Sequence, residues 1–145
     1  MENAALFLAK RGLHLTQLRR SVLELLYAEG RAIGAYDLTA AYEVRYGRRV
    51  RPNSVYRALD FLETSGLVVH LAHSRSYATR TPDKHKEQDE PCLFFVCSGC
   101  GAATECRDPR VGRAIRRTEI AIGFVTHMRS IDIQGMCKSC VNVRA

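Results

Sequence analysis

Two Cys-x-x-Cys pairs, Cys97-Ser98-Gly99-Cys100 and Cys137-Lys138-Ser139-Cys140, lie in the back half of this chain. Four thiolates at this spacing suit tetrahedral zinc, because each pair sits on a tight turn that aims two sulfurs at one ion. Whatever fold forms must therefore bring the two turns together. Gly99 and Gly101 supply backbone freedom for the first turn, and Gly135 suits a similar turn ahead of the second. A lone pair could be a redox motif. Two pairs point to structural zinc, with disulfides as the rival reading.

The compartment bears on that choice. The N-terminus carries Glu2 and no apolar core with a cleavage site, so no signal peptide is expected. No run approaches the ~18 apolar residues of a membrane span. The expectation is a cytoplasmic protein without membrane contact, where reduced thiols favour metal over disulfide. Cys92 is left over and reads as a small hydrophobe at a strand start. Cys106 is also left over and reads as buried filler.

A length of 145 residues with 46% hydrophobic content allows one compact domain or two small ones. The formal charge of +7 favours a polyanionic partner. Its placement says more: eleven arginines lie between Arg11 and Arg80, whereas five acidic residues fall between Asp83 and Glu105. The front half carries the basic surface and the back half carries the cysteines.

Periodicity orders the elements. Residues 3–11 read as a helix ending at Gly12. Thr16 caps a second, with Leu18, Val22, Leu25 and Leu26 on one face. Leu38, Ala41 and Tyr42 mark a third, closed near Gly47. Pro52 opens a fourth, in which Val55, Leu59 and Leu62 face the core and Gly66 ends the run. A β-rich stretch, 67–71, a polar turn and a return strand, 76–79, follow. Three helices, a fourth in helix-turn-helix style and a hairpin describe a winged helix, with the fourth helix in the major groove and the hairpin on the backbone.

Pro82 to Pro91 is polar and reads as a hinge. Beyond it, 93–96 and 102–105 read as strands around the first Cys pair. Val111, Ile115, Thr118 and Ile122 mark one helix face, and 124–134 reads as a long strand delivering the second pair. The expected architecture is α+β: a winged-helix DNA-binding domain over 1–81, a hinge over 82–91, and a small α/β dimerisation domain with a four-cysteine zinc site over 92–145. A back domain this small has a thin core, which zinc or a second copy would reinforce.

On the fourth helix Asn53, Arg57, Asp60 and Thr64 share a polar face, with Tyr56 beside them. Arg57 can donate two hydrogen bonds to a guanine edge, and Tyr56 can bond a phosphate or touch a thymine methyl. Residues 48–51, Arg51 included, would hold phosphates. The rival reading is a solvated face of an ordinary amphipathic helix. Around the hinge, His70, His85, Cys92 and Glu105, with His73 nearby, have the chemistry for a second, regulatory zinc site of mixed N, S and O ligands. No Gly-rich phosphate loop, His-Glu-x-x-His or Ser-His-Asp pattern stands out, so no enzyme is expected. The enzymatic or redox alternative is a reactive thiol at Cys92 or Cys106, the latter beside Arg107.

Ser54-Val55-Tyr56-Arg57-Ala58-Leu59-Asp60-Phe61-Leu62, followed by Gly66-Leu67-Val68, resembles the DNA-reading helix and wing entry of the ferric uptake regulator family. Ala35-Tyr36-Asp37-Leu38 and the Arg57–Leu62 run look most like its zinc uptake regulator branch. Both Cys pairs match that family's structural zinc site. The resemblance runs from about Leu6 to Val143. It implies a homodimer that, when zinc-loaded, binds an inverted-repeat DNA operator and represses zinc-acquisition genes. It also implies that Tyr36 and Arg57 are foremost among the DNA contacts Tyr36, Arg51, Asn53, Ser54, Tyr56 and Arg57.

The family's regulatory-site slots are filled differently here. They fall on Val69, Arg80, Glu90 and Met128, with only Glu105 as expected. A guanidinium cannot ligate zinc, so the resemblance implies a regulatory site rebuilt from neighbours, or lost. The alternative function is a DNA-binding member with structural zinc only.

Overall fold

In the computed structural model, which describes residues 2–81, 91–126 and 130–144, the chain divides into two units, Met1–Asp83 and Lys84–Ala145.

The first unit runs α1 (Glu2–Ala9), α2 (Gln17–Glu29), β1 (Ile33–Gly34), α3 (Ala35–Tyr46), α4 (Pro52–Thr64), β2 (Val68–Leu71) and β3 (Ser76–Thr79). Thr16 caps α2, its Oγ1 accepting from the Arg19 backbone N–H at 3.4 Å. Val22, Leu23, Leu25 and Leu26 of α2 meet Leu38 of α3 and Val55, Ala58, Leu59 and Leu62 of α4 in one core. Each fully buried leucine contributes about 1.5–3 kcal/mol. Pro52 opens α4, where its missing N–H costs nothing.

Two of the front arginines serve the fold itself. Arg11 Nη1 donates to the Ser65 carbonyl at 3.2 Å, satisfying a carbonyl just past α4. The Arg19 guanidinium sits 3.5 Å from the Phe61 ring centroid, clamping α2 to α4.

The sheet order is β1-β3-β2. Its hairpin is the expected one, with His70 opposite Tyr77 and Leu71 opposite Ser76. Strand β1 was not expected: two residues are too few for an alternation to register, yet Ile33 and Gly34 pair with Tyr77 and Ser76. In the hairpin loop Arg75 has φ 49°, the one non-glycine residue in the left-handed region among the described residues. For an L-residue that conformation costs about 1–2 kcal/mol.

The second unit contains β4 (Cys92–Cys97), β5 (Ala103–Cys106), α5 (Pro109–Ile122), β6 (Ser130–Gly135) and α6 (Lys138–Arg144). Its sheet order is β5-β4-β6, with β4 antiparallel to β5 and parallel to β6. The central strand β4 is buried except at Phe95, the near-continuous apolar run expected of a strand paired on both edges. Asp108 caps α5, Oδ1 accepting from the Arg110 backbone N–H at 2.9 Å, and Gly123 ends it at φ 68°.

One expectation needs correction here, and two features were not foreseen. The last strand begins at Ser130, not near Phe124; Thr126 instead donates its backbone N–H to Glu119 at 2.8 Å. Helix α6 was not foreseen. And the apolar stripe of α5 is not buried in one chain: only Gly112 is, while Ile120 and Ile122 stand 80% and 69% exposed. No helix among the described residues is long and apolar enough to cross a membrane.

Candidate functional site

The metal centre grows from strand pairing. In the parallel β4–β6 ladder Cys97 stands opposite Gly135, so both Cys turns leave the sheet at one end. The Ser98 backbone N–H and hydroxyl both donate to the Gly135 carbonyl, at 2.8 and 3.1 Å, and lock one turn to the other. Gly101 closes the first turn at φ 74°, its N–H bonding the Cys97 carbonyl at 2.9 Å. The start of α6 then carries Cys140 one turn beyond Cys137.

The sulfurs of Cys97, Cys100, Cys137 and Cys140 all lie within 4.8 Å of one another. Cys100 and Cys137 are 3.8 Å apart, matching the about 3.8 Å edge of a tetrahedron with Zn–S bonds of about 2.3 Å. Gly99 makes room for this: a Cβ there would lie 3.0 Å from the Cys140 sulfur. The Cys137 backbone N–H donates to Cys97 Sγ at 3.2 Å, and this bond leads those that draw the Cys97 thiol down to about 6. Hydrogen bonding with the thiols of Cys137, Cys100 and Cys97 pushes Cys140 up to about 12. Four thiols this crowded resist full ionisation together, and a divalent cation supplies the missing charge. The donor set and spacing suit structural zinc.

Cys106 is exposed, not buried as the sequence suggested, because β5 is an edge strand. Cys92 is fully buried, and its thiol donates to Glu105 Oε1 at 3.1 Å. Arg107 Nη2 reaches the same oxygen at 3.1 Å. Of the candidate second-site ligands, the structure thus brings Cys92 and Glu105 together. His70 belongs to the other unit, where it is exposed on β2 with its ring 4.8 Å from that of Tyr77. His85 lies outside the described residues, as does Glu90. Among the described residues, the four cysteines are the one cluster of three or more metal-ligating side chains.

On the first unit, Val55, Leu59 and Leu62 hold α4 in the core and so turn Asn53, Tyr56, Arg57 and Asp60 outward, all exposed. Ser54 is half-buried, and Arg51 is exposed at the helix start. Tyr36, 73% exposed at the first turn of α3, meets Tyr56 edge to face, with ring centroids 6.3 Å apart. The helix-turn-helix crossing therefore unites two residues singled out from distant parts of the sequence. Arg75, exposed in the hairpin loop, was not singled out from the sequence.

Residues 10–134 match the model of the "Ferric uptake regulator family". The chain belongs to the ferric uptake regulator family. It is a metal-responsive DNA-binding regulator, not an enzyme. The zinc uptake regulation protein of Escherichia coli strain K12 is 31% identical over 94% of this chain and 78% of its own length. A solved "Zinc Uptake Regulator Complexed With Zinc AND DNA" superposes with a TM-score of 0.87 at 30% identity, covering 99% of this chain and 93% of that one. Holo XcZur gives 0.82 at 27% identity over 97% and 96%.

Proposed function

We propose that this protein is a zinc-responsive transcriptional repressor that binds an inverted-repeat DNA operator as a homodimer and controls zinc-uptake genes. The observation that carries the reading is the outward face of α4. There Asn53, Tyr56 and Arg57, joined by Tyr36, form an exposed basic and aromatic surface on a winged helix. A related regulator solved with zinc and DNA supports it. The four cysteines would hold structural zinc, which supplies a charged cross-link that ties β4 to α6 and gives the small unit its stability. Arg51, Ser54 and the basic loop before them would engage phosphates, while Arg57 would read a base edge.

Dimerisation is supported by apolar surface that one copy leaves open. Phe95 and Ile133, neighbours across β4 and β6, are 46% and 37% exposed, and Ile120, Ile122, Phe124 and Val125 are more exposed still. Apolar surface of this kind marks an interface.

The regulatory metal would draw on Cys92 and Glu105, with His70 and His85. A second reading drops that sensor and keeps only the structural zinc. It is favoured by Arg107, which sets a cation on the carboxylate oxygen a metal would need. Operator binding followed by fluorescence anisotropy during a buffered zinc titration separates the two. The protein starts with its four-cysteine site loaded, confirmed by native mass spectrometry. A tenfold or greater rise in affinity, about 1.4 kcal/mol of coupling, supports the sensor. Tight, zinc-indifferent binding selects the second reading, and no DNA binding rejects both.

A further inference from the structure

We propose that Arg75, at the tip of the β2–β3 hairpin, enters the DNA minor groove and gives the protein a preference for A·T pairs beside the sequence read by α4. The inference rests on the DNA-binding reading above.

The first observation is the backbone. At φ 49° Arg75 occupies a conformation that turn chemistry assigns to glycine or asparagine. A strained residue persists where the surroundings hold it, and such outliers cluster at functional positions. Here the surroundings do hold it. Leu71 pairs with Ser76 just below the loop, and the hydroxyls of Ser74 and Ser76, on either side of Arg75, lie 2.5 Å apart. One register step further down, the stacked rings of His70 and Tyr77 brace the two strands. These contacts tie the strand ends together at the base of the loop that carries the guanidinium.

The second observation is the shape of the tip. Ala72, His73, Ser74 and Arg75 are all exposed. Ala72 and Ser74 are short, so His73 is the one other large side chain at the tip. A B-DNA minor groove about 6 Å wide admits one extended side chain of this kind.

The third is charge. From Gly66 to Thr81 the chain contains no Asp or Glu, while His70, His73, Arg75 and Arg80 are all basic or titratable. The other basic flank of α4, Arg48 to Arg51, precedes the helix; the hairpin follows it. A helix in the major groove is thus preceded and followed along the chain by cations. Lysine would serve a phosphate equally well. A guanidinium, more weakly hydrated, is the cation that narrow A·T-rich minor grooves select.

The test uses the full-length, zinc-loaded protein and a duplex that it enriches itself from a random library. The A·T pairs flanking the selected core are replaced by G·C, and separately by inosine·C. Inosine·C lacks the guanine amino group in the minor groove but keeps a G-like major-groove edge. Wild-type protein is expected to lose about tenfold in affinity on the G·C flank and to regain it on the inosine·C flank. Arg75→Gly is expected to bind all three duplexes alike and to melt at a higher temperature, because glycine adopts φ 49° without strain. Arg75→Lys should keep the affinity for the core yet lose most of the flank preference. Flank discrimination undiminished in Arg75→Gly overturns the proposal. So does a uniform loss of affinity with a salt slope smaller by about 0.9, which marks a phosphate contact. Failure to enrich any duplex would instead remove the DNA-binding reading itself.

Discussion

Tyr36 and Tyr56 meet edge to face, with centroids 6.3 Å apart and planes at 85°. One ring starts α3 and the other sits in the first turns of α4, so the two meet at the outer face of the helix-turn-helix. Such pairs are worth about 0.5–1.5 kcal/mol beyond simple burial. Tyr36→Ala and Tyr56→Ala are each expected to weaken operator binding, and the double variant to lose less than the sum. Strict additivity in that binding cycle would show that the rings act independently.

Gly99 lies against the Cys140 sulfur, and a methyl there would intrude to 3.0 Å. Gly99→Ala is therefore expected to push the Cys140 sulfur out of place and lower zinc affinity roughly tenfold or more, the scale on which disturbed surroundings weaken a metal site. The stoichiometry at the four cysteines should stay at one. Competition with a chromophoric chelator measures this. Full chelation should melt the second unit while leaving the helical signal of the first, since α2, α3 and α4 share a core containing none of the four cysteines.

Asp108 caps α5 and faces Arg110, whose side chain and backbone N–H draw its carboxyl down to about 2. Unfolded aspartate titrates near 3.9. A depressed pKa means that the stabilisation is complete above the unfolded value and fades as pH falls through about 2. The melting-temperature gap between wild type and Asp108→Ala should be constant from pH 5 to 7 and close on acidification. A gap that persists at pH 2 would mean that the cap acts without its charge.

Much of the fold was legible because local rules and tertiary packing agree. Thr16, Gly47 and Pro52 mark helix ends, and the Cys spacing demanded that two turns converge. What escaped has physical reasons. The stripe of Val111, Ile115 and Ile122 announces burial, yet Val111 and Ile115 are only half-buried and Ile122 is exposed, because periodicity marks an apolar face without saying what meets it. Strand β1 is shorter than any detectable alternation. A one-residue step separates buried Val69 from exposed His70 on β2, so a ligand slot displaced by one position faces the other way. Arg11 and Arg19 counted toward a basic surface, yet one bonds a carbonyl and the other stacks on an aromatic ring.

Arg57 and Leu59 stand two residues apart on α4 and should fail in opposite ways. Leu59 is fully buried among Val55, Leu62 and the α2 face. Leu59→Ala leaves a cavity and is expected to cost about 2–5 kcal/mol in stability. DNA affinity per folded molecule should stay near wild type. Arg57 is exposed beside Tyr56 and bears no part of the core. Arg57→Ala should stay within about 0.5 kcal/mol of wild-type stability, yet lose about 1–3 kcal/mol in operator binding, with relaxed preference at one base pair. Paired denaturant melts and anisotropy titrations read both axes. If Arg57→Ala weakened binding equally on every sequence, the side chain would be a phosphate contact, and base reading would pass to Asn53 or Tyr56.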